Sequence, residues 1–506
     1  MTQVTNEPDI LEVIADLSND EVFTPPRVAR GVLDLLPESL WSDPAARFLD
    51  PGSKSGVFLR EITRRLMVGL ESAIPDDDER LHHILADQIF GIAITELTSL
   101  MSRRTVYCSK NAASTHAVTT MDTADGHIWF QRVEHNYSNG RCRDCGASKA
   151  LMENAGHENH AYAFIHRSAW PQLEKEFEMK FDVIVGNPPY QLDDGGHNAS
   201  ATPIYQHFIE TAIDLDPRYV LMITPSRWFV GGKGLDKFRD RLLNDDRVSH
   251  IVDFPKLYEP FPLVKIRGGI SYFLWDRDHH GPCTIQTMRD GEPDGPAVSR
   301  RLDEFDVLVR DNKAVEILRK VRGYRENGQP EATMDTRVSQ AKPFGLRTFF
   351  HGKDSSKGIQ DPVKLYGSQK VSWVSRDEIP ANDAWIDQWK VLMTAVQGTS
   401  AAVETMFLSR PIIAGPGEAC TETYLVAARA ETEDKAERYA AYLRTRFVRF
   451  LVSLRKATQH ATRDVYCFVP DAPMDREWTD ADLYSRYGID AEEQAYIESV
   501  VKAMEQ

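Results

Sequence analysis

No stretch of about 20 consecutive apolar residues occurs, so no segment reads as a membrane-spanning helix. The amino terminus, with Glu7, Asp9 and Glu12, lacks the basic-then-apolar pattern of a secretory leader, and the expected compartment is the cytoplasm. Six cysteines in 506 residues are too few and too uneven for a disulfide framework, but reduced thiols remain available to a metal. Positive charge is also short. A formal net charge of −16 excludes whole-surface attraction to nucleic acid, so a polyanionic partner requires basic side chains gathered on one face. There is no repeat, no low-complexity tract and no Walker-type phosphate loop, and the residues before Phe23 are too few for a nuclease domain. Cleavage or translocation is therefore expected to need another chain. The length predicts two or three domains.

What is present centres on Phe181-Asp182-Val183-Ile184-Val185-Gly186-Asn187-Pro188-Pro189-Tyr190. An apolar, β-branched run ending in a rigid polar corner reads as a buried strand that delivers a loop at its carboxyl end, where open α/β sheets place ligands. Each proline fixes its own φ and restricts the residue before it, which holds the Asn187 side chain in a fixed direction. The Asn187 amide oxygen and the Pro188 carbonyl are two acceptors for the two hydrogens of a planar amine, and Tyr190 offers a ring face.

Upstream, Phe23-Thr24-Pro25-Pro26 precedes a helical pattern through Leu36, with Thr24 expected as N-cap and Pro25 at the first helical position. Phe48-Leu49-Asp50-Pro51-Gly52-Ser53-Lys54-Ser55-Gly56 reads as strand, small-residue loop and helix start, an arrangement that aims backbone N–H groups at a carboxylate. Strands follow at 88–94, 218–223, 250–254 and 269–275, alternating with helical patterns as in a doubly wound sheet.

These motifs together resemble the S-adenosylmethionine-dependent amino-methyltransferases, especially those that make N6-methyladenine in DNA, in the γ order found among type II and IIG restriction–modification enzymes. The resemblance covers roughly residues 21–275. It implies that Asn187, Pro188, Pro189 and Tyr190 hold a flipped-out adenine. It also implies that Phe23, Thr24 and Pro25 border the methionine end of the cofactor, and that Asp50, Gly52, Ser53, Lys54, Gly56 and Asn187 line its site. Lys54 stands where the family has glycine: either the loop takes a different path, or the Lys54 ammonium pairs with the cofactor carboxylate. Ala93 occupies the position of the acidic ribose ligand, leaving Glu96 as the nearest substitute.

Residues 108–166 interrupt the α/β rhythm with an insertion rich in His and Cys. Cys142-Arg143-Asp144-Cys145-Gly146 has the spacing in which two thiolates face one ion, and Cys108 and His135 are expected to complete a structural zinc site. His116, His127, His157 and His160 compete for the fourth place. Asp193, Asp194 and His197, after the corner, read as a solvated loop rather than a metal or acid–base site.

The polar stretch Arg289–Pro296 is the expected joint between a methyltransferase domain, 1–285, and a target-recognition domain, 286–506. Gly231-Gly232-Lys233-Gly234 supplies a candidate DNA-backbone contact through Lys233. A helix expected over Lys435–His460 carries Arg444, Arg449, Arg455 and Lys456 beside its apolar face, a basic cluster suited to phosphate. The expected fold is thus α/β: a Rossmann-like doubly wound methyltransferase sheet with a zinc-binding insertion and a C-terminal mixed α+β target-recognition domain. The expected cofactors are S-adenosylmethionine and structural zinc. Double-stranded DNA is the expected partner, together with a separate restriction or helicase subunit and no membrane. The alternatives are a methyltransferase of the same fold acting on RNA or protein glutamine, and a catalytically silent DNA-binding subunit.

Overall fold

A computed structural model describes the protein over residues 22–154, 161–191, 202–232, 234–256, 258–261, 266, 268–396, 406–456 and 460–504. The chain divides into two compact units, Met1–Leu308 and Val309–Gln506. In the first, α1 (Pro26–Leu33), β1 (Phe48–Ser53), α2 (Val57–Gly69), α3 (Asp77–His83), β2 (Ile89–Ala93), α4 (Glu96–Tyr107) and β3 (Ile128–Trp129) come before the insertion hairpin. That hairpin is β4 (Tyr137–Ser138) and β5 (Arg141–Cys142), followed by α5 (Lys149–Asn154) and α6 (Trp170–Phe177). The chain continues through β6 (Val183–Gly186), α7 (Tyr205–Asp214), β7 (Tyr219–Pro225), α8 (Asp236–Leu243), β8 (Val248–Phe254), β9 (Ile270–Asp276), β10 (Cys283–Arg289), β11 (Glu292–Pro293) and β12 (Val298–Arg300).

The sheet order is β11-β10-β8-β9-β7-β6-β1-β2-β3, with β12 also paired to β10. The run β3-β2-β1-β6-β7 is parallel, and β9 lies antiparallel between β7 and β8. Period-two alternation sends Phe48, Val183, Val185 and Leu221 to one face and Leu49, Ile184, Val220 and Met222 to the other. The first face packs under Val32, Phe58, Ile62 and Leu66 of α1 and α2; the second packs under Leu173, Phe208 and Phe238 of α6, α7 and α8. Burial on both faces explains why the strands read as continuous apolar runs. From β1 the chain crosses towards β2, whereas from β6 it crosses towards β7. The two crossovers diverge, so the carboxyl ends of β1 and β6 frame the crevice in which such sheets bind ligands.

The first unit extends past the expected joint. Asp290 and Gly291, both at positive φ, turn β10 back into β11, so the polar stretch is a hairpin within the sheet and the division falls at Leu308. The second unit carries α9 (Asn312–Gly323), β13 (Arg325–Glu326), β14 (Gln329–Pro330), β15 (Pro362–Tyr366), β16 (Val371–Ser375), α10 (Asp383–Ile386), β17 (Trp389–Thr394), β18 (Ile412–Ala414), β19 (Glu418–Cys420) and β20 (Tyr424–Ala430). It ends in α11 (Glu433–Arg444), α12 (Arg446–Ser453), α13 (Asp480–Tyr487) and α14 (Ala491–Val500). Two three-stranded sheets, β16-β15-β19 and β18-β17-β20, make it mixed α+β. The single helix expected over Lys435–His460 is two, because the Thr445 hydroxyl accepts from the Val448 N–H and starts α12 afresh. Among the described residues no helix is long and apolar enough to cross a membrane.

Candidate active site

A cavity at the head of β1 is lined by Thr24, Asp50, Gly52, Lys54, Ser55, Gly56, Val57, Phe58 and Asn187. β1 continues beyond Asp50, with an irregularity in its pairing between Asp50 and Ser53, and ends at Ser53, three residues before Gly56 (φ 74°) caps α2. Gly56 is the loop position in the left-handed region; Lys54 is not, so the lysine replaces a glycine without backbone strain. Lys54 is buried and donates to the Val22 carbonyl at 3.0 Å. Asp50 is buried too, and the Gly52 N–H donates to its Oδ1 at 3.2 Å. Burial raises the Asp50 carboxyl to about 7, against the opposing pull of Gly52, Ser53 and the Lys54 charge.

β6 carries the corner to the same cavity. Asn187 is buried, and its Nδ2 donates to the Val22 carbonyl and to Thr24 Oγ1, both at 3.1 Å. Those two acceptors fix which end of the carboxamide is which. Its Oδ1 is buried and accepts no hydrogen bond, and the Tyr190 hydroxyl is likewise buried without a partner. Two glycines let corner and loop pass closely. A Cβ at Gly186 would lie 3.0 Å from Asp50 Oδ1, and one at Gly52 would lie 3.4 Å from Pro188 Cα. Tyr190 is half-buried and meets Tyr205 edge to face at 6.5 Å.

Thr24 therefore serves the site and not the helix: the N-cap of α1 is Pro25, without a side-chain cap, and the first helical residue is Pro26. Phe23 and Pro25 are buried beside Thr24 but do not line the cavity. Ser53 lies behind its wall, where its Oγ pairs with Ser102 Oγ at 2.6 Å. Glu96 is exposed in the first turn of α4 and is not brought to the cavity, and Ala93 is buried. Sequence reasoning missed Ser55, Val57 and Phe58 as lining residues; their signal was only their place between Lys54 and the start of α2.

In the insertion, His135, Cys142, Cys145 and His166 place one ligand atom each within 4.8 Å of one another. Cys108 does not belong to them: it closes α4 as an exposed left-handed C-cap (φ 59°), and His166 holds the expected fourth place. His116 is exposed, and His127 stacks on Phe90 at 4.6 Å; His157 and His160 lie outside the described residues.

The basic residues fare less well as phosphate contacts. Arg449 is wholly buried, its Nε donating to the carbonyls of Arg444 and Thr445 and its Nη1 to that of Met406. Burial holds its guanidinium down at about 10. Lys456 donates to the Phe407 carbonyl at 2.6 Å, and Arg455 stacks over Phe468 at 4.8 Å. Arg444 is half-buried at the end of α11. A single helix with one apolar face leaves Arg449 outside, whereas α12 is buried on every side, from Phe447 to Val452. Lys233, Asp193, Asp194 and His197 lie outside the described residues.

The family model of the Eco57I restriction-modification methylases matches residues 87–261. An uncharacterized adenine-specific methylase of Mycoplasma pneumoniae is 36% identical over 341 residues, which cover 62% of this chain and 80% of that protein. Among solved structures, a nuclease-deletion mutant of the Type ISP restriction-modification enzyme LlaGI in complex with a DNA substrate mimic is similar at a TM-score of 0.49 and 11% identity. That match covers 95% of this chain and 47% of the other. A type I restriction-modification methyltransferase subunit from Streptococcus thermophilus has a TM-score of 0.33 and 12% identity, over 56% of this chain and 52% of the other. This chain thus spans about half the length of each of these two structures.

Proposed function

Because the chain belongs to the adenine-specific methylases of the restriction–modification kind, we propose that it methylates the N6 amine of an adenine turned out of double-stranded DNA, with S-adenosylmethionine as methyl donor. The observation that carries the reading is the buried Asn187 Oδ1, which accepts no hydrogen bond although Asn187 lines the cavity. A buried acceptor without a donor costs about 1–3 kcal/mol, a cost that an incoming amine removes. With Nδ2 committed to Val22 and Thr24, the carboxamide cannot turn, and Oδ1 takes one amine hydrogen while the Pro188 carbonyl takes the other. Drawing both hydrogens into one plane leaves the nitrogen lone pair to point at the methyl donor. Tyr190 supplies the face for the base.

The cavity's own groups fit the cofactor. Lys54 and Asp50 set a cation and a titrating carboxyl on one wall, matching the carboxylate and ammonium of an amino acid, and Gly56 opens the amino end of α2 beside them. When bound, S-adenosylmethionine supplies an electrophilic methyl group on a sulfonium. The amine proton leaves to water after transfer, so the site needs no strong base. In this reading the cytoplasm holds the enzyme and its DNA.

The test is to incubate the purified protein with tritiated S-adenosylmethionine and unmodified genomic DNA, then digest to nucleosides. Label in N6-methyldeoxyadenosine is expected. Label confined to N4-methyldeoxycytidine, to RNA or to protein overturns the acceptor, and absence of cofactor binding overturns the enzyme.

A further inference from the structure

The His135, Cys142, Cys145 and His166 cluster takes no part in the cavity at the head of β1, and it has the geometry of a closed coordination site. Cys142 Sγ lies 3.5 Å from His166 Nε2, and Cys145 Sγ lies 3.4 Å from His135 Nδ1. With Zn–S near 2.3 Å and Zn–N near 2.0 Å, the sulfur–nitrogen edge of a zinc tetrahedron is about 3.6 Å. S–H···N hydrogen bonds would explain each pair singly, but not the convergence of all four atoms within 4.8 Å. That convergence also excludes a two-iron cluster, which sets its thiolate pair and its imidazole pair on different irons.

The surrounding backbone is shaped for the task. The Gly146 N–H donates to the Cys142 carbonyl at 3.0 Å and the Cys142 N–H to that of Ala147 at 2.9 Å, with Gly146 at φ 73° closing the tight turn that carries both thiols. His166 is oriented from behind: its Nδ1 donates to the Tyr162 carbonyl at 2.7 Å, so Nε2 carries the lone pair towards Cys142. His166 is fully buried, and Cys142 and Cys145 sit in the same apolar cluster as Ile184, Phe208 and Trp228. Two thiolates neutralise a dication, which makes so deep a site affordable.

We propose that these four residues bind one structural zinc ion as a Cys2His2 site. All four positions belong to the protein, so no place remains for a reactive water. The ion joins the hairpin of β4 and β5 to His166, which lies between two short 3-10 turns, Ala163–Ile165 and Arg167–Ala169, immediately before α6. The insertion is thereby pinned to the segment that enters β6 and ends at Asn187. Zinc is favoured over hard cations by the thiolates.

The test is metal analysis of the purified full-length protein by mass spectrometry, with Cys108→Ser, Cys142→Ser and His166→Ala beside the wild type. The expected result is about one zinc per chain in wild type and Cys108→Ser, and at least a tenfold loss in the other two. Should Cys142→Ser or His166→Ala fail to fold, cobalt exchange into the wild type decides. A tetrahedral cobalt spectrum with charge transfer from two thiolates supports the site. A spectrum of three thiolates, a wild-type protein that neither retains zinc nor takes up cobalt, or loss of zinc in Cys108→Ser overturns it.

Discussion

The cavity at the head of β1 and the interior of the second unit each bury polar side chains, and they use them in opposite ways. In the cavity, Asn187 commits its Nδ2 to Val22 and Thr24 while its Oδ1 is left without a donor, and Asp50 and Lys54 line the same wall. In the second unit, Lys390 is fully buried and its Nζ reaches the carbonyls of Trp385, Ile386, Gln388 and Gly415, while Arg449 donates to those of Arg444, Thr445 and Met406. A polar side chain held at a cavity wall is available to a ligand. One sealed against carbonyls holds loops together, whatever its charge implies from sequence.

Four changes break or sharpen that contrast. The largest effect is expected at Asp50. Its folded-state value of about 7 lies above the ordinary carboxyl value, so between about pH 4 and 7 the native state binds the extra proton and stability falls as pH rises. Asp50→Asn removes that slope and gains about 3 kcal/mol at pH 8, read by urea unfolding at a series of pH values, while weakening S-adenosylmethionine binding. Lys390 has the opposite sign. Burial holds its ammonium down at about 8, so the unfolded state binds more protons between pH 8 and 10.5 and stability rises across that window. Lys390→Met flattens the rise of about 2–3 kcal/mol in the same measurement.

Arg449→Met is expected to cost about 2 kcal/mol of unfolding free energy by stripping donors from buried carbonyls. DNA affinity and its salt slope stay unchanged in filter binding, because no phosphate reaches the guanidinium. Thr24→Val is the mildest. It frees one of the two anchors of the Asn187 carboxamide and lowers single-turnover methyl transfer roughly tenfold, with α1 intact because Thr24 does not cap it.

The parallel sheet, the small-residue loop after β1 and the Asn187 corner were legible in sequence because each is local: β-branched runs, a Pro-Pro corner and small residues between strand and helix act within about ten positions. The resemblance put Thr24 at the expected site, and only the cap reading failed, since capping a helix and accepting from an amide 163 residues away call for the same hydroxyl. His166 was missed because its partnership with Cys142 depends on how the insertion folds back, which spacing does not encode. Arg449 was misplaced because its spacing sets it off the apolar face, and burial on every side of α12 comes from the fold around it. The boundary at Leu308 escaped notice because a polar Asp-Gly turn serves a hairpin and a linker equally well.

The most direct test of the central claim is single-turnover methyl transfer by Asn187→Ala at saturating S-adenosylmethionine, with cofactor affinity and unfolding measured on the same sample. The account predicts a folded protein that still binds the cofactor and transfers methyl about 10²–10³-fold more slowly, the usual loss when a preorganised hydrogen-bonding group leaves an active site. Transfer within a few-fold of wild type would show that the buried Oδ1 is not what holds the amine.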